Sequence, residues 1–163
     1  MALFGSKNDI GTFKGISREL VENIISQECG YYKIMLQDTD KNVYGEGLEK
    51  YYIGPVLLNC LIERGDFSFA SGDFGTDVSR PVTFRFLKDH LSDANVVPEV
   101  GDVVMYNELY YLVDNVNQNQ LILGKDSDYA YSEGLENFGS SYSIILTCHY
   151  ASPDALGINQ NRL

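Results

Sequence analysis

The chain has 163 residues, with 23 acidic against 12 basic side chains and a formal net charge of −11. That length fits a single domain, 1–163, with enough chain to bury a core without disulfide or metal staples. The acidity disfavours tight wrapping of nucleic acid, though it suits a conduit past which DNA must slide, and no apolar run approaches the roughly 20 residues of a membrane span.

Residues 1–15 hold three glycines and no apolar periodicity, and are read as an N-terminal arm. The opening "MALFGSKND" lacks the apolar stretch of a signal peptide. Ser17 then stands as a helix N-cap before "RELVENIISQE", where Leu20, Val21, Ile24 and Ile25 recur at helical spacing. This amphipathic helix is expected to end near Gly30.

From there the period changes to two. In "YYKIMLQ", Tyr32, Ile34 and Leu36 share one face, with Lys33 and Gln37 on the other. In "VLLNCLI", Val56, Leu58, Cys60 and Ile62 share a face. In "PVTFRFL", Val82, Phe84 and Phe86 alternate with Thr83 and Arg85. Three runs follow, 103–106, 109–113 and 121–123, the first two separated only by Asn107 and Glu108. In "YSIILTCHY", Ile144, Leu146, Cys148 and Tyr150 alternate with Ser143, Thr147 and His149. About seven short strands and one helix imply a mainly β fold, a small antiparallel barrel or sandwich.

Two segments stand outside that pattern. The long loop 63–80 combines glycines and aspartates with Phe67, Phe69 and Phe74; it either docks on something or tucks back as a hairpin. The tail 151–163 is polar and punctuated by Pro and Gly, and is read as frayed or ordered by a neighbour.

Candidate chemistry is sparse. Asp38, Asp40, Asn42, Glu46 and Glu49 fall at positions one, three, five, nine and twelve of an EF-hand loop, but Val43 occupies the sixth position where a glycine makes the turn, and the preceding run reads as strand. An acidic hairpin turn explains these residues without calcium. An acid/base hydrolase would draw on His90 or His149 and one of many carboxylates, with nothing selecting a pair. Cys29, Cys60 and Cys148 are widely spaced with no CxxC, and Cys60 and Cys148 fall on apolar faces, as buried thiols of a reducing compartment do. No phosphate-binding glycine loop occurs. The expectation is therefore no catalytic, cofactor or metal residues and no cofactor. The 12 tyrosines and 8 phenylalanines offer stacking surfaces for single strands, but the basic groove that such binding needs is missing.

Three strings taken together, "NVYGEGLEKYYIGPVLLNCLIERGD", "VTFRFLKDHL" and "NVVPEVGDVVMYNELYYLVDNV", resemble the neck proteins of T-even-like contractile-tailed bacteriophages, which belong with head-closure proteins. The likeness spans residues 38–125. The resemblance implies a small β-barrel with projecting loops, no catalysis, and a structural role in the virion after assembly in the host cytoplasm. It implies a ring of identical copies, a hexamer, below the portal and its adaptor ring and above the tail terminator and tail proteins, in transient contact with packaged DNA. In that setting Phe67, Phe69, Asp73, Phe74, Asp77 and Arg80 are the candidates to face a partner or the lumen, and Tyr106, Tyr110 and Tyr111 the candidates for subunit contact. A tail-completion or tail-terminator ring is the nearest alternative.

Overall fold

The computed structural model describes residues 7–35, 40–41, 47–65, 68–72, 75–79, 81–121 and 141–156. The chain begins with α1 (Lys7–Glu19), continued by a π-helical segment (Leu20–Ile25). Strands β1 (Glu28–Ile34), β2 (Asp40–Lys41), β3 (Gly47–Glu49), β4 (Tyr52–Asn59) and β5 (Leu61–Arg64) follow. After β6 (Ser68–Gly72), β7 (Gly75–Ser79) and β8 (Val82–Leu87) comes a short helix, α2 (Lys88–Asp93). Strands β9 (Val103–Tyr106), β10 (Leu109–Leu121) and β11 (Ser141–Ala151) and the turn-like α3 (Pro153–Leu156) complete the order.

Seven of these strands form one antiparallel sheet in the order β4-β1-β9-β10-β11-β8-β5, and β2–β3 and β6–β7 form separate two-stranded pairs. The mainly β expectation is met, with seven strands, but the sheet is open between β4 and β5 rather than a closed barrel or a sandwich. A flat sheet of seven strands would be about 29 Å wide at ~4.8 Å per strand. Yet its two edge strands are consecutive in the chain, separated only by Cys60, a span of at most about 7 Å. The sheet must therefore curl until its edges meet at one corner. Because each neighbouring pair is antiparallel, β4 and β5 run in the same sense. They are two halves of one bent strand, the first paired with β1 and the second with β8. At the bend the Cys60 N–H donates to the Gln27 carbonyl, 2.9 Å away, one step past the last β1–β4 pair, Glu28 with Asn59.

The concave face holds the main core: Tyr31, Cys60, Phe84, Leu146 and Cys148 are fully buried there, with Val82, Phe86, Leu91 and Val113 beside them. Alternation predicted most of this set, including Val56, Leu58, Cys60 and Ile62 on one face. Strand β1 is the exception. Tyr31, not Tyr32, points into the core, because the inward parity is odd: Cys29, Tyr31, then Lys33 reaching the buried Asp102. Tyr32 lies on the convex face with Val103, Met105, Tyr110 and Leu112, where a second cluster is covered by Leu156 of α3. The first residues of the C-terminal tail are thus packed on their own chain. Tyr150, expected on the inward face of β11, is exposed near the end of the strand.

Other boundaries also differ. The run "VLLNCLI" is split by Cys60 into β4 and β5, and the 109–113 run continues unbroken to Leu121 as one long β10, with 122 and 123 outside the described residues, so the main sheet still has seven strands. The helix starts at Lys7, within the expected arm and ten residues before Ser17, and stops at Ile25, where Ser26 takes a left-handed conformation and its N–H closes onto the Val21 carbonyl.

Candidate functional site: docking faces on a braced scaffold

The scaffold is braced by a carboxylate. Asp102 is fully buried at the start of β9. Its Oδ1 accepts the Ile34 N–H at 2.9 Å, and its Oδ2 accepts from the Tyr31 hydroxyl at 2.5 Å, the Glu99 N–H at 2.8 Å and Lys33 Nζ at 3.1 Å. Buried charge is costly unless paired and hydrogen-bonded, and here four donors meet it. Lys33 also bonds Glu99 Oε2 and the Val97 carbonyl, which fastens the 97–102 turn to β1. Burial, reinforced by the Asp102 carboxylate, holds the Tyr31 phenol well above its ordinary pKa; the same two causes raise Tyr52. The four hydrogen bonds to Asp102 tie β1 and the 97–102 turn to the start of β9, while the nearby buried Tyr52 hydroxyl makes none among the described residues.

The next hairpin is tight. Leu109 pairs with Tyr106 across a two-residue turn in which both Asn107 and Glu108 have positive φ, at 51° and 62°. These are the signs of a type I′ turn, whose twist matches that of the flanking strands. The tyrosines proposed for subunit contact lie around it. Tyr110 and Tyr111 are buried within their own chain, Tyr111 edge-on to Phe84 and Tyr110 beside Tyr32. Tyr106 is half-buried, with Phe84 on one side and the Arg64 guanidinium 5.9 Å from its ring centroid.

The loop residues Phe67, Asp73, Phe74 and Arg80 lie outside the described residues. The backbone at Phe69 and Asp77 belongs to the β6–β7 hairpin, which pairs Phe69 with Val78 and Ala70 with Asp77 and shares no ladder with the main sheet. Of the calcium-type residues, Asp38, Asn42 and Glu46 lie outside the described residues. Asp40 and Glu49 face each other across the β2–β3 pair, so the segment is an antiparallel hairpin preceded by strand β1 instead of a helix. Among the described residues no group of His, Cys, Asp and Glu gathers as a metal site.

The two histidines sit in different settings. His149 Nδ1 lies 2.7 Å from Asp114 Oδ1 on the exposed side of the sheet. Its neighbour Cys148 points the other way, into the core, where burial and then the Asp114 charge push its thiol up to about 12. Strand alternation therefore keeps this thiol and this imidazole on opposite faces. The Cys29 thiol is raised as well, first by interaction with Cys60 and then by burial, and its Sγ donates to the Leu58 carbonyl at 3.5 Å within the core. His90 is buried on α2, its Nε2 2.7 Å from Glu22 Oε1 of the π-helical segment.

That last contact belongs to a set that sequence reading missed. Lys14 pairs with Asp89 at 3.2 Å, and Arg18 with Asp93 and Glu22, both at 2.9 Å. The N-terminal helix is thus seated on α2 through its polar side. Its apolar residues Ile16, Leu20 and Ile24 face outward, Phe13 is half-exposed with its ring 5.4 Å from that of Tyr142, and on β4 Ile53 and Leu57 are exposed too. Their signal was the pairing of Lys14, Arg18 and Glu22 at four-residue spacing with an apolar stripe on the other side.

No protein-family model matches the chain, and no curated protein matches it. Among solved structures the chain is similar to a chain of the "Virion of native gene transfer agent (GTA) particle", with a TM-score of 0.49 and 11% identity over 77% of this chain and 94% of that chain. At that score and identity the likeness assigns neither family nor function.

Proposed function

We propose that this protein is a structural component of a phage-like virion, a neck or head-closure protein whose copies form a ring below the portal and adaptor and offer the tail a docking surface. The observation that carries the reading is where the neck-like strings fall. "GPVLL" forms the edge strand β4, "VTFRFLKDHL" forms β8 and α2, and "PEVGDVVMYNELYYLVDNV" forms the Asp102 brace with the β9–β10 hairpin. The resemblance thus lies in the parts that build a rigid scaffold, with the β6–β7 hairpin standing outside its main sheet. A net charge of −11 suits a channel lining, since like charge keeps DNA mobile.

Particle assembly without this chain tests the reading. Full, DNA-packed heads beside complete but unattached tails are the expected products. Tails of abnormal length would point instead to a tail-terminator ring, and normal joined particles would refute a connector role.

A further inference from the structure

The N-terminal helix sits on α2 with its polar side inward. Lys14 meets Asp89 at 3.2 Å, Arg18 meets Asp93 at 2.9 Å, and Glu22 of the π-helical segment lies 2.7 Å from His90 Nε2. Lys14, Arg18 and Glu22 follow one another at four-residue spacing, so a single line of side chains makes all three contacts. Apolar burial adds little beside them. Val21 is the one buried side chain among the described residues of the helix, while Ile16, Leu20 and Ile24 are exposed and the Phe13 ring touches that of Tyr142. A surface helix ordinarily shows the reverse arrangement, with its apolar stripe against the core. The helix then ends at a sharp joint. Ser26 has φ 46° and ψ 41°, and only Gln27 separates it from β1.

We propose that this helix is an ionic latch: it closes on α2 at low ionic strength and swings free about the Ser26 joint when salt screens its ion pairs, while the sheet stays folded. Five of the six side chains in the three contacts are partly exposed, and only the His90 ring is shielded. Attraction between such groups is open to screening, because the Debye length falls from about 30 Å at 0.01 M salt to about 3 Å at 1 M. The body responds with the opposite sign. Its strands are held by a buried apolar face that screening leaves intact, and a chain of net charge −11 is relieved of self-repulsion when salt is added. Salt therefore loosens the latch while it steadies the sheet. Opening uncovers the Asp89, His90 and Asp93 side of α2 and frees Val21. The inference does not depend on the connector reading.

Amide exchange at about 20 mM and about 500 mM sodium chloride tests the latch. At the higher salt, residues 13–25 should exchange at least threefold faster, while the β10–β11 amides exchange at the same rate or more slowly. The double variant Lys14→Met with Arg18→Met removes the cations. Its helix should exchange fast already at low salt and respond less than twofold to added salt. Arg85→Met, which removes the Arg85–Glu63 pair between β8 and β5, should respond as the wild type does. Val21→Cys gives a second readout with uncharged N-ethylmaleimide. Its thiol should label at least threefold faster at the higher salt, against three buried native cysteines. A helix whose exchange ignores salt would overturn the proposal, as would β10–β11 amides that accelerate with it, or a Lys14→Met, Arg18→Met variant that keeps the full response. The wild-type comparison decides by itself whether or not the variants fold.

Discussion

The Tyr31 hydroxyl donates to Asp102 Oδ2 at 2.5 Å, joining residues 71 positions apart at the place where β1 meets β9. Both are fully buried, and the same carboxylate takes backbone N–H groups from Ile34 and Glu99. Replacing Asp102 by Ala strands those donors and the partly exposed Lys33, and should cost about 3 kcal/mol or more. Tyr31→Phe should cost about 2 kcal/mol. Urea unfolding of both single variants and the double variant measures their coupling. A cycle in which the two losses simply add would mean that the pair contributes nothing jointly.

Alkaline pH should loosen the fold. The Cys148 thiol is held up to about 12 from 9.0, so the folded chain keeps a proton that the unfolded chain releases. Its contribution is intact below pH 9 and is lost as the pH rises toward 12. Tyr31 adds a loss of the same sign above its unfolded value of 10.0. Each such group lowers stability by up to about 1.4 kcal/mol per pH unit inside its window. Urea midpoints measured across that range should fall, and Cys148→Ala should make the decline shallower. An unchanged slope in the variant would exclude the thiol as a contributor.

The hairpin turn offers a gain. Glu108 sits at a φ of 62°, a conformation that costs an L-residue about 1 kcal/mol and glycine almost nothing. Glu108→Gly should raise stability by about 0.5–1 kcal/mol, read as a higher thermal midpoint. Asn107, also at positive φ, already suits its position.

The ion pairs under the N-terminal helix are partly exposed, and such pairs contribute about 0.2–1 kcal/mol each. Reversing both basic partners, Lys14→Glu with Arg18→Glu, sets them against Asp89 and Asp93. Amide exchange over residues 13–25 should then accelerate at least tenfold while the β10–β11 amides keep their protection. Equal acceleration throughout would show that the helix is integral to global stability.

The β6–β7 hairpin shares no ladder with the main sheet. Replacing residues 68–79 by a short Gly-Ser link should therefore change stability by only about 1 kcal/mol, because loop-length costs grow slowly. Under the connector reading, the same change blocks head–tail joining or leaks DNA. Outright unfolding of the shortened chain would make this segment part of the core.

Much of the fold was legible because strand burial has a strict period: Val82, Phe84 and Phe86 announce one face, and the core confirms it. The β1 face was misread because Tyr31 and Tyr32 are adjacent and equally apolar, and only the distant Asp102 decides which turns inward. The helix start was missed because Gly11 and Gly15 lower helix propensity and the apolar stripe does not face the core. The carboxylate brace was hidden in a Gly-Asp pair that many strands carry, since three of its four donors come from residues 31–34, some 70 positions upstream. The exposed apolar residues were least legible: an exposed Ile53 or Leu57 is written in the same letters as a buried one.

The bend at Cys60 gives the shell an asymmetric mechanics. At that corner the curl is held by covalent backbone, so force tending to spread the sheet is borne by peptide bonds before any hydrogen-bonded zipper must part. Away from the corner the β4 and β5 edges share no ladder. The molecule is therefore a clasp riveted at one point, stiff against widening there and compliant along its open seam.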